Sequence, residues 1–196
     1  MGVRKSIAII TATDELSASI AKTLIDSNYR LLLVPGDMKK VAKLASSLMR
    51  DAYAAEVAVL ECEKEACWEA DVILMAVPHL LRKKIAELIQ EVTIQKVVIS
   101  LSNLTGTYEG CLTSEDISIE ELQDVLPYAK VVTATTTLLD AESDSLCNNK
   151  IQSTTFIAAD DEESLQTAGE IITAMGLSPV VIAGHPKQHE FFKLLN

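Results

Sequence analysis

The chain has 196 residues, of which 48% are hydrophobic, so it can build a sizeable core and is not expected to be intrinsically disordered. Its formal net charge of -11 at pH 7 argues against a nucleic-acid partner, because such a partner requires basic surface to meet its phosphates. Its apolar runs are too short to cross a bilayer, so we expect one soluble domain over residues 1–196.

Short apolar segments alternate with amphipathic helical segments along the whole chain. Several apolar segments are uninterrupted, which is typical of strands buried on both faces. The alternation predicts an α/β fold of the doubly wound, Rossmann type, with a mostly parallel sheet and helices on both faces. The predicted strands are 6–11, 30–34, 56–60, 71–77, 96–101, 130–135, 154–159 and 179–183. The predicted helices are 16–27, 38–54, 80–90 and 162–174, and loops are predicted over 103–118 and 141–153.

The first strand runs directly into the first helix, where a dinucleotide-binding protein carries its glycine-rich phosphate turn. The three fingerprint positions are occupied by Ala12, Asp14 and Ser17, so none of them is glycine. The corner as a whole is a candidate cofactor-binding segment, with Thr11, Ala12, Thr13, Asp14, Leu16 and Ser17 as its residues.

Asp14 is the most consequential of these changes, because its carboxylate would stand where an anion should sit. In one interpretation it caps the helix by accepting hydrogen bonds from the amides of Leu16 and Ser17. In the other, the turn still binds a dinucleotide along a different path. The sequence leaves both open.

A second candidate segment follows the second strand and contains Gly36, Asp37, Lys39 and Lys40. Asp37 lies about 20 residues beyond the turn, where an acid can hydrogen-bond the adenine ribose of NAD. It could instead cap the helix that starts near Met38. Lys39 and Lys40 could meet the 2′-phosphate of NADP, so the choice between NAD and NADP stays open.

A third group of candidates lies at the ends of two later strands, where open α/β sheets bind ligands. It comprises Ala76, Val77, Pro78 and His79 after one strand, and Ser102 and Asn103 after the next. His79 could contact a nicotinamide or move a proton, or it could simply start the next helix. Ser102 and Asn103 could bind amide or phosphate groups, although loop polarity explains them equally well.

The sequence gives little support for a metal site or for a nucleophilic cysteine. His185 and His189 stand four residues apart beside Glu190, but no third strong ligand is evident, so no metal is predicted. The four cysteines lack C-x-x-C spacing and are expected to be thiols in a reducing cytoplasm.

In the order of its segments the chain resembles the coenzyme F420-dependent NADP oxidoreductases over nearly its whole length. The stretch Ala70-Asp71-Val72-Ile73-Leu74-Met75-Ala76-Val77-Pro78 is similar to the fourth strand of that family, which ends in a valine- or isoleucine-proline pair beside the nicotinamide. The other similar stretches are Ile7-Ala8-Ile9-Ile10 with Ile20-Ala21, Val97-Val98-Ile99-Ser100, Leu126-Pro127 with Lys130-Val131-Val132-Thr133-Ala134, and Asp160-Asp161-Glu162-Glu163 through Gly176-Leu177-Ser178-Pro179 to Ala183-Gly184.

The resemblance implies an NAD(P)-binding domain that transfers hydride between a nicotinamide and a deazaflavin- or flavin-type acceptor. It places the sixth strand beside the two rings, so its threonines could line a pocket floor, although threonine is also common in ordinary strands. These residues are Thr133, Thr135, Thr136 and Thr137. No residue is predicted to be catalytic, because the cofactor carries the chemistry of hydride transfer.

The chain departs from the family pattern in three respects. The turn glycines are absent, Pro35-Gly36-Asp37-Met38 replaces a serine–arginine pair that grips a 2′-phosphate in the family, and the C-terminal helix is expected to be shorter than in the family. The alternative function is therefore a non-catalytic relative that keeps the scaffold as a binding module. Either protein is expected to be cytoplasmic and to bind a small-molecule cofactor or substrate, but neither nucleic acid nor membrane. A homodimer is compatible with a small domain of this class.

Overall fold

The computed structural model describes residues 4–11, 14–34, 45–46, 56–77, 79–104, 119–137 and 154–182, and these residues form one sheet with helices on both faces. The strands are β1 (Lys5–Thr11), β2 (Tyr29–Val34), β3 (Glu56–Val59), β4 (Val72–Ala76), β5 (Val97–Leu104), β6 (Lys130–Thr137), β7 (Thr154–Ala158) and β8 (Ser178–Val181). The described helices are α1 (Asp14–Leu24), α2 (Glu63–Glu69), α3 (His79–Ile89), α4 (Ile119–Val125) and α5 (Glu162–Ala174), with a 3-10 turn over Gln90–Val92.

The sheet has the strand order β3-β2-β1-β4-β5-β6-β7-β8. Strands β1 to β6 are parallel, β7 runs antiparallel to β6, and β8 is parallel to β7. The predicted fold class is therefore confirmed, including the qualification that the sheet is only mostly parallel. Every predicted strand is present, with ends that differ by no more than three residues from the predicted ones.

Two short helices were missed by the sequence interpretation, and one predicted loop begins later than expected. Helices α2 and α4 have only seven residues each, too few for a helical repeat of apolar residues to stand out. Asn103 and Leu104 were assigned to a loop but extend β5. Most of the predicted helix 38–54, and the predicted loop residues 105–118 and 141–153, lie outside the described residues.

Alternate residues of the central strands enter two separate hydrophobic layers, because successive side chains of a strand point to opposite faces. Ile7 and Ile9 of β1 face the layer closed by α1 and α5. Ala8 and Ile10 face the layer closed by α2, α3 and α4. This two-sided burial explains why the strands read as uninterrupted apolar runs.

A polar latch joins β1 to the start of β4 at the amino edge of the sheet. The backbone N–H of Ser6 donates to Asp71 Oδ2 at 2.7 Å, and the Ser6 hydroxyl donates to the same oxygen at 2.8 Å. In return the Asp71 N–H donates to Ser6 Oγ at 3.1 Å. Ser6 is buried, so these bonds satisfy polar groups that water does not reach and hold β1 in register with β4.

The latch generates a stability prediction. Asp71→Ala should lower the free energy of unfolding by about 2 kcal/mol, because it removes a charged acceptor from two hydrogen bonds of a buried residue. Asp71→Asn should cost about half as much, since its amide oxygen still accepts. Urea denaturation measures both, and Asp124→Ala on the exposed face of α4 is the control. Equal stability of the wild type and Asp71→Ala would contradict the assigned role.

Candidate functional site

The topology places a crevice between the carboxyl ends of β1 and β4. From β1 the chain proceeds to β2 and β3 on one side, and it then returns to β4 on the other side of β1. The connections leaving β1 and β4 therefore diverge, and the last residues of the two strands, Thr11 and Ala76, are register partners. Ligands of open α/β sheets bind at such a switch point.

The β1–α1 corner faces this crevice. Thr11 ends β1, and α1 begins at Asp14, so the first amides of α1 and the positive end of its dipole lie at the sheet edge. Leu16 and Ser17 belong to the first turn of α1, whose next turns pack into the core through Ile20 and Ala21. Ala12 and Thr13 lie outside the described residues, as do the side chains of residues 14–18, and the capping role of Asp14 stays a prediction.

The β4 side of the crevice is apolar. Ala76 and Val77 are both buried, and α3 begins at His79. His79 therefore starts a helix, which is one of the two roles considered for it from the sequence. The side chain of His79 and the whole of Pro78 lie outside the described residues. A contact between His79 and a nicotinamide stays a prediction.

The candidates for the adenosine end of a cofactor follow strand β2. Strand β2 ends at Val34, beside the end of β1, with Ile10 and Val34 as register partners. Residues Gly36, Asp37, Lys39 and Lys40, which follow, lie outside the described residues.

The structure adds Arg82, which the sequence interpretation did not single out. Arg82 lies in the first half of α3, only 9% of its surface is exposed, and its Nη2 donates to Ser102 Oγ at 2.8 Å. Ser102 and Asn103 both belong to the last part of β5, where Ser102 pairs in register with Thr135 and Asn103 with Thr136. The sequence signal that could have found Arg82 is the basic run Arg82-Lys83-Lys84, which begins four residues after Pro78.

The threonines of β6 prove to have different surroundings. Thr133 Oγ1 donates to the Ala158 carbonyl at 3.4 Å, and Thr136 Oγ1 lies 3.0 Å from Thr155 Oγ1, both contacts crossing to β7. Strand pairing thus accounts for these two hydroxyls. Thr135 is buried beside Ser102 and remains a candidate, while the side chain of Thr137 lies outside the described residues.

Cys67 is not a nucleophile of this site. It is buried in α2, and burial raises the pKa of its thiol to about 12 despite the nearby Lys96. Lys96 Nζ donates to the carbonyls of Cys67 and Trp68 at 2.6 and 2.7 Å, and its own pKa is lowered by burial. This group lies where α2 ends and β5 begins, at the amino edge of the sheet opposite the crevice.

Neither a metal cluster nor a membrane-spanning helix is found in the part of the chain that the structure describes. No three His, Cys, Asp or Glu side chains of those residues come together as ligands of one ion. No helix among them is both long and apolar enough to cross a membrane. His185, His189 and Glu190 fall outside this part of the chain.

Comparison with known proteins identifies one matching family and many solved structures with a similar fold. The family described as NADP oxidoreductase, coenzyme F420-dependent, matches residues 6–104, which contain β1 to β5 and hence both sides of the crevice. No functionally curated protein matches the chain significantly.

Similar solved structures include a proposed F420-dependent NADP reductase from Arthrobacter sp. FB24, with a TM-score of 0.63, 16% identity and coverage of 96% of this chain and 89% of that protein. A pyrroline-5-carboxylate reductase from Coxiella burnetii has a TM-score of 0.64, 14% identity and coverage of 98% and 68%. An imine reductase from Myxococcus stipitatus, solved with NAD+, has a TM-score of 0.66, 12% identity and coverage of 98% and 60%. At these identities the likeness shows a Rossmann-type fold.

The paired hydroxyls of Thr136 and Thr155 provide a test of the sheet beside the site. Both residues are buried, so Thr136→Val or Thr155→Val alone should lower the free energy of unfolding by about 1–2 kcal/mol, because each leaves the other hydroxyl without its partner. The double variant should lose less than the sum of the two. Additive losses in a urea-unfolding double-mutant cycle would show that the hydroxyls do not interact.

Proposed function

The chain belongs to the family of coenzyme F420-dependent NADP oxidoreductases, and on this basis we propose that it is an NAD(P)-binding oxidoreductase. It would transfer hydride between the nicotinamide and a deazaflavin- or flavin-type acceptor. The observation that carries the proposal is the β1–α1 corner at the switch point, with Thr11 in register with Ala76 of β4. That arrangement faces the amino ends of α1 and α3 toward one crevice.

The residues at the crevice fit a dinucleotide in two respects. The amides of the first turn of α1 are donors of the kind that hold a pyrophosphate. The buried, apolar end of β4 at Ala76 and Val77 is a surface against which a planar nicotinamide can lie. When bound, the cofactor supplies the hydride chemistry, while this chain positions the rings and excludes water.

The remaining candidates complete the proposal. The pyrophosphate would be contacted by the residues of the β1–α1 corner, which are Thr11, Ala12, Thr13, Asp14, Leu16 and Ser17. The adenosine would be contacted by the residues after β2, which are Gly36, Asp37, Lys39 and Lys40. Ala76, Val77, Pro78 and His79 would border the nicotinamide, and Ser102 and Asn103 would line the far wall. Asp37 would favour NAD through the ribose, whereas Lys39 and Lys40 would favour NADP through the 2′-phosphate.

A second candidate function rests on the acid at the start of α1. Asp14 is the first residue of α1 and Glu15 follows it, where the pyrophosphate of a dinucleotide would approach. Two like charges about 4 Å apart repel by roughly 1 kcal/mol in water and roughly 4 kcal/mol near a protein surface. A loss of dinucleotide-binding free energy of this size favours a non-catalytic relative that keeps the scaffold as a binding module.

Titration with NADPH and NADH separates the two functions. Calorimetry is the suitable measurement, because the single tryptophan, Trp68, is exposed at the end of α2 and away from the crevice. Saturable binding of either nucleotide to the wild type is expected. No heat at millimolar nucleotide would rule out the oxidoreductase and leave the binding module.

Variants of Asp14 test the role of its charge. Asp14→Gly should tighten nucleotide binding at least fivefold, because it removes both the repulsion and the Cβ that hinders close approach. Asp14→Asn should give part of this gain, since it removes the charge alone. Asp26→Gly, just beyond the other end of α1, removes one charge far from the crevice and is the control. An unchanged dissociation constant in Asp14→Gly would show that the acid does not oppose binding.

A cytoplasmic homodimer is part of the proposal. Strand β8 lies at the edge of the sheet with Val180 and Val181 exposed, and an exposed apolar edge strand is suited to pairing with another chain.

Light scattering should therefore give about twice the mass of one 21.3 kDa chain. Val181→Lys should shift the protein toward the mass of one chain, because a lysine on an edge strand opposes strand pairing. Val97→Ala, a buried change in β5, is the control for a general loss of stability. A single-chain mass for the wild type at all concentrations would contradict the homodimer.

A further inference from the structure

Three large hydrophobic side chains are exposed at the amino edge of the sheet, each a few residues before a strand. Trp68 at the end of α2 has 70% of its surface exposed, Ile94 before β5 has 55%, and Tyr128 before β6 has 67%. Single exposed apolar residues are ordinary on a protein surface, whereas a contiguous group of them marks an interaction site. The contacts between the three segments decide which of these cases applies.

Hydrogen bonds join the three segments side by side. Lys96 Nζ donates to the Trp68 carbonyl at 2.7 Å, and the Gln95 N–H donates to the Tyr128 carbonyl at 2.7 Å. Ile94 precedes these two donors in the chain, so its segment lies between the end of α2 and the residues that follow α4. Trp68, Ile94 and Tyr128 therefore belong to one surface, which we call the amino-edge patch.

The turn that carries Ile94 has a conformation that its sequence does not favour. The Lys96 N–H donates to the Thr93 carbonyl at 3.0 Å and closes the turn. Gln95 has a φ of 62°, and it is the one non-glycine residue of positive φ in the described part of the chain. A glycine would adopt this φ without strain. Non-glycine residues held in such conformations cluster at functional sites, which distinguishes this turn from an ordinary connection.

The helical segments around the amino-edge patch are acidic. Helix α2, the 3-10 turn and α4 together contain seven acidic residues and one lysine. The acidic residues are Glu63, Glu65, Glu69, Glu91, Glu120, Glu121 and Asp124, and the lysine is Lys64. The patch thus lies in a part of the surface where negative charge is in excess.

The cations near the patch do not cancel this excess. Lys64 pairs with the carboxylate of the 3-10 turn, and Arg30 pairs with two carboxylates, one on β3 and one on α2. Lys96 Nζ donates to two backbone carbonyls at the end of α2. Lys83 and Lys84 are exposed, but they belong to the first half of α3, nearer the crevice.

Aromatic faces next to carboxylates fit a cationic partner. The rings of tryptophan and tyrosine attract ammonium and guanidinium groups. Glu65 lies three residues before Trp68 in α2, a spacing that puts both residues on the same side of the helix. A second copy of this chain would bring its own excess of negative charge to the patch, and an anionic membrane or a nucleic acid would be repelled in the same way.

We propose that the amino-edge patch binds a segment of a partner protein that is rich in lysine or arginine. The rings of Trp68 and Tyr128 contact its cationic side chains, Ile94 contacts its apolar ones, and the surrounding carboxylates pair with the remaining charges. The patch lies at the edge of the sheet opposite the crevice, so the partner and a small ligand of the crevice can be bound together.

The fluorescence of Trp68 tests the site directly, because it is the single tryptophan of the chain. The probe is a short peptide of alternating arginine and leucine residues, titrated into the full chain at physiological salt. Its counterpart with glutamate in place of arginine is the control. The arginine peptide should change the Trp68 emission saturably and the glutamate peptide should not. Equal responses to the two peptides, or none to either, would overturn the proposal.

Two variants separate binding at the patch from general attraction to an acidic protein. Tyr128→Ser should weaken binding of the arginine peptide about fivefold, the size of one exposed cation–π contact. Glu65→Gln should weaken it about twofold. Glu162→Gln removes an equal, exposed charge from α5 on the other face of the sheet and should leave the dissociation constant unchanged. Equal dissociation constants for the wild type, Tyr128→Ser and Glu65→Gln would overturn the proposal.

Light scattering of Trp68→Ser distinguishes a partner protein from a second copy of this chain. The variant should have the mass of the wild type, because the patch is separate from the β8 edge. A mass lower than that of the wild type would make the patch an interface between copies and overturn the proposal. The peptide titrations contain no nucleotide, so they test this inference independently of the proposed function.

Discussion

The burial of β1 on both faces, between β2 and β4, is the constraint on which the rest of the structure depends. Ile7 and Ile9 reach one hydrophobic layer and Ala8 and Ile10 the other, so helices have to cover the sheet on both sides. A chain that covers both faces must reverse its direction of winding, and it does so at β1. The crevice is a direct consequence of that reversal.

The amino edge of the sheet carries stabilising polar contacts, whereas the carboxyl edge carries the candidate binding site. At the amino edge, the Ser6–Asp71 latch and the bonds from Lys96 to the end of α2 satisfy buried polar groups and fix the strands. At the carboxyl edge of a protein with a net charge of -11, the amino ends of α1 and α3 meet at one crevice, and the amides at helix amino ends are donors for anionic groups. Such an edge is suited to anionic ligands even though the surface as a whole is acidic.

Under the proposed function, Asp14 is the residue on which dinucleotide binding depends most. It is the first residue of α1, where the pyrophosphate would approach, and a carboxylate directed at the crevice would oppose the charge of the phosphates. A carboxylate that instead caps α1 would take the place of a phosphate at the first amides of the helix. Family membership describes the scaffold, and the residues of this corner decide what the scaffold binds.

The sequence alone was sufficient for the eight strands, the doubly wound class and the edge of the sheet that carries the candidate site, because uninterrupted apolar runs and strand–helix alternation are local signals. The sequence did not reveal α2 and α4, because helices of seven residues are too short to show a helical repeat. It also did not reveal the reversed direction of β7, because the direction of a strand depends on how its connection crosses the sheet. Only the tertiary structure could show that the Thr136 hydroxyl is bonded to Thr155 and that Arg82, 20 residues from Ser102 along the chain, donates to it. Those contacts join residues that are distant in sequence, and their energies depend on register and burial, which come into existence only when the sheet is assembled.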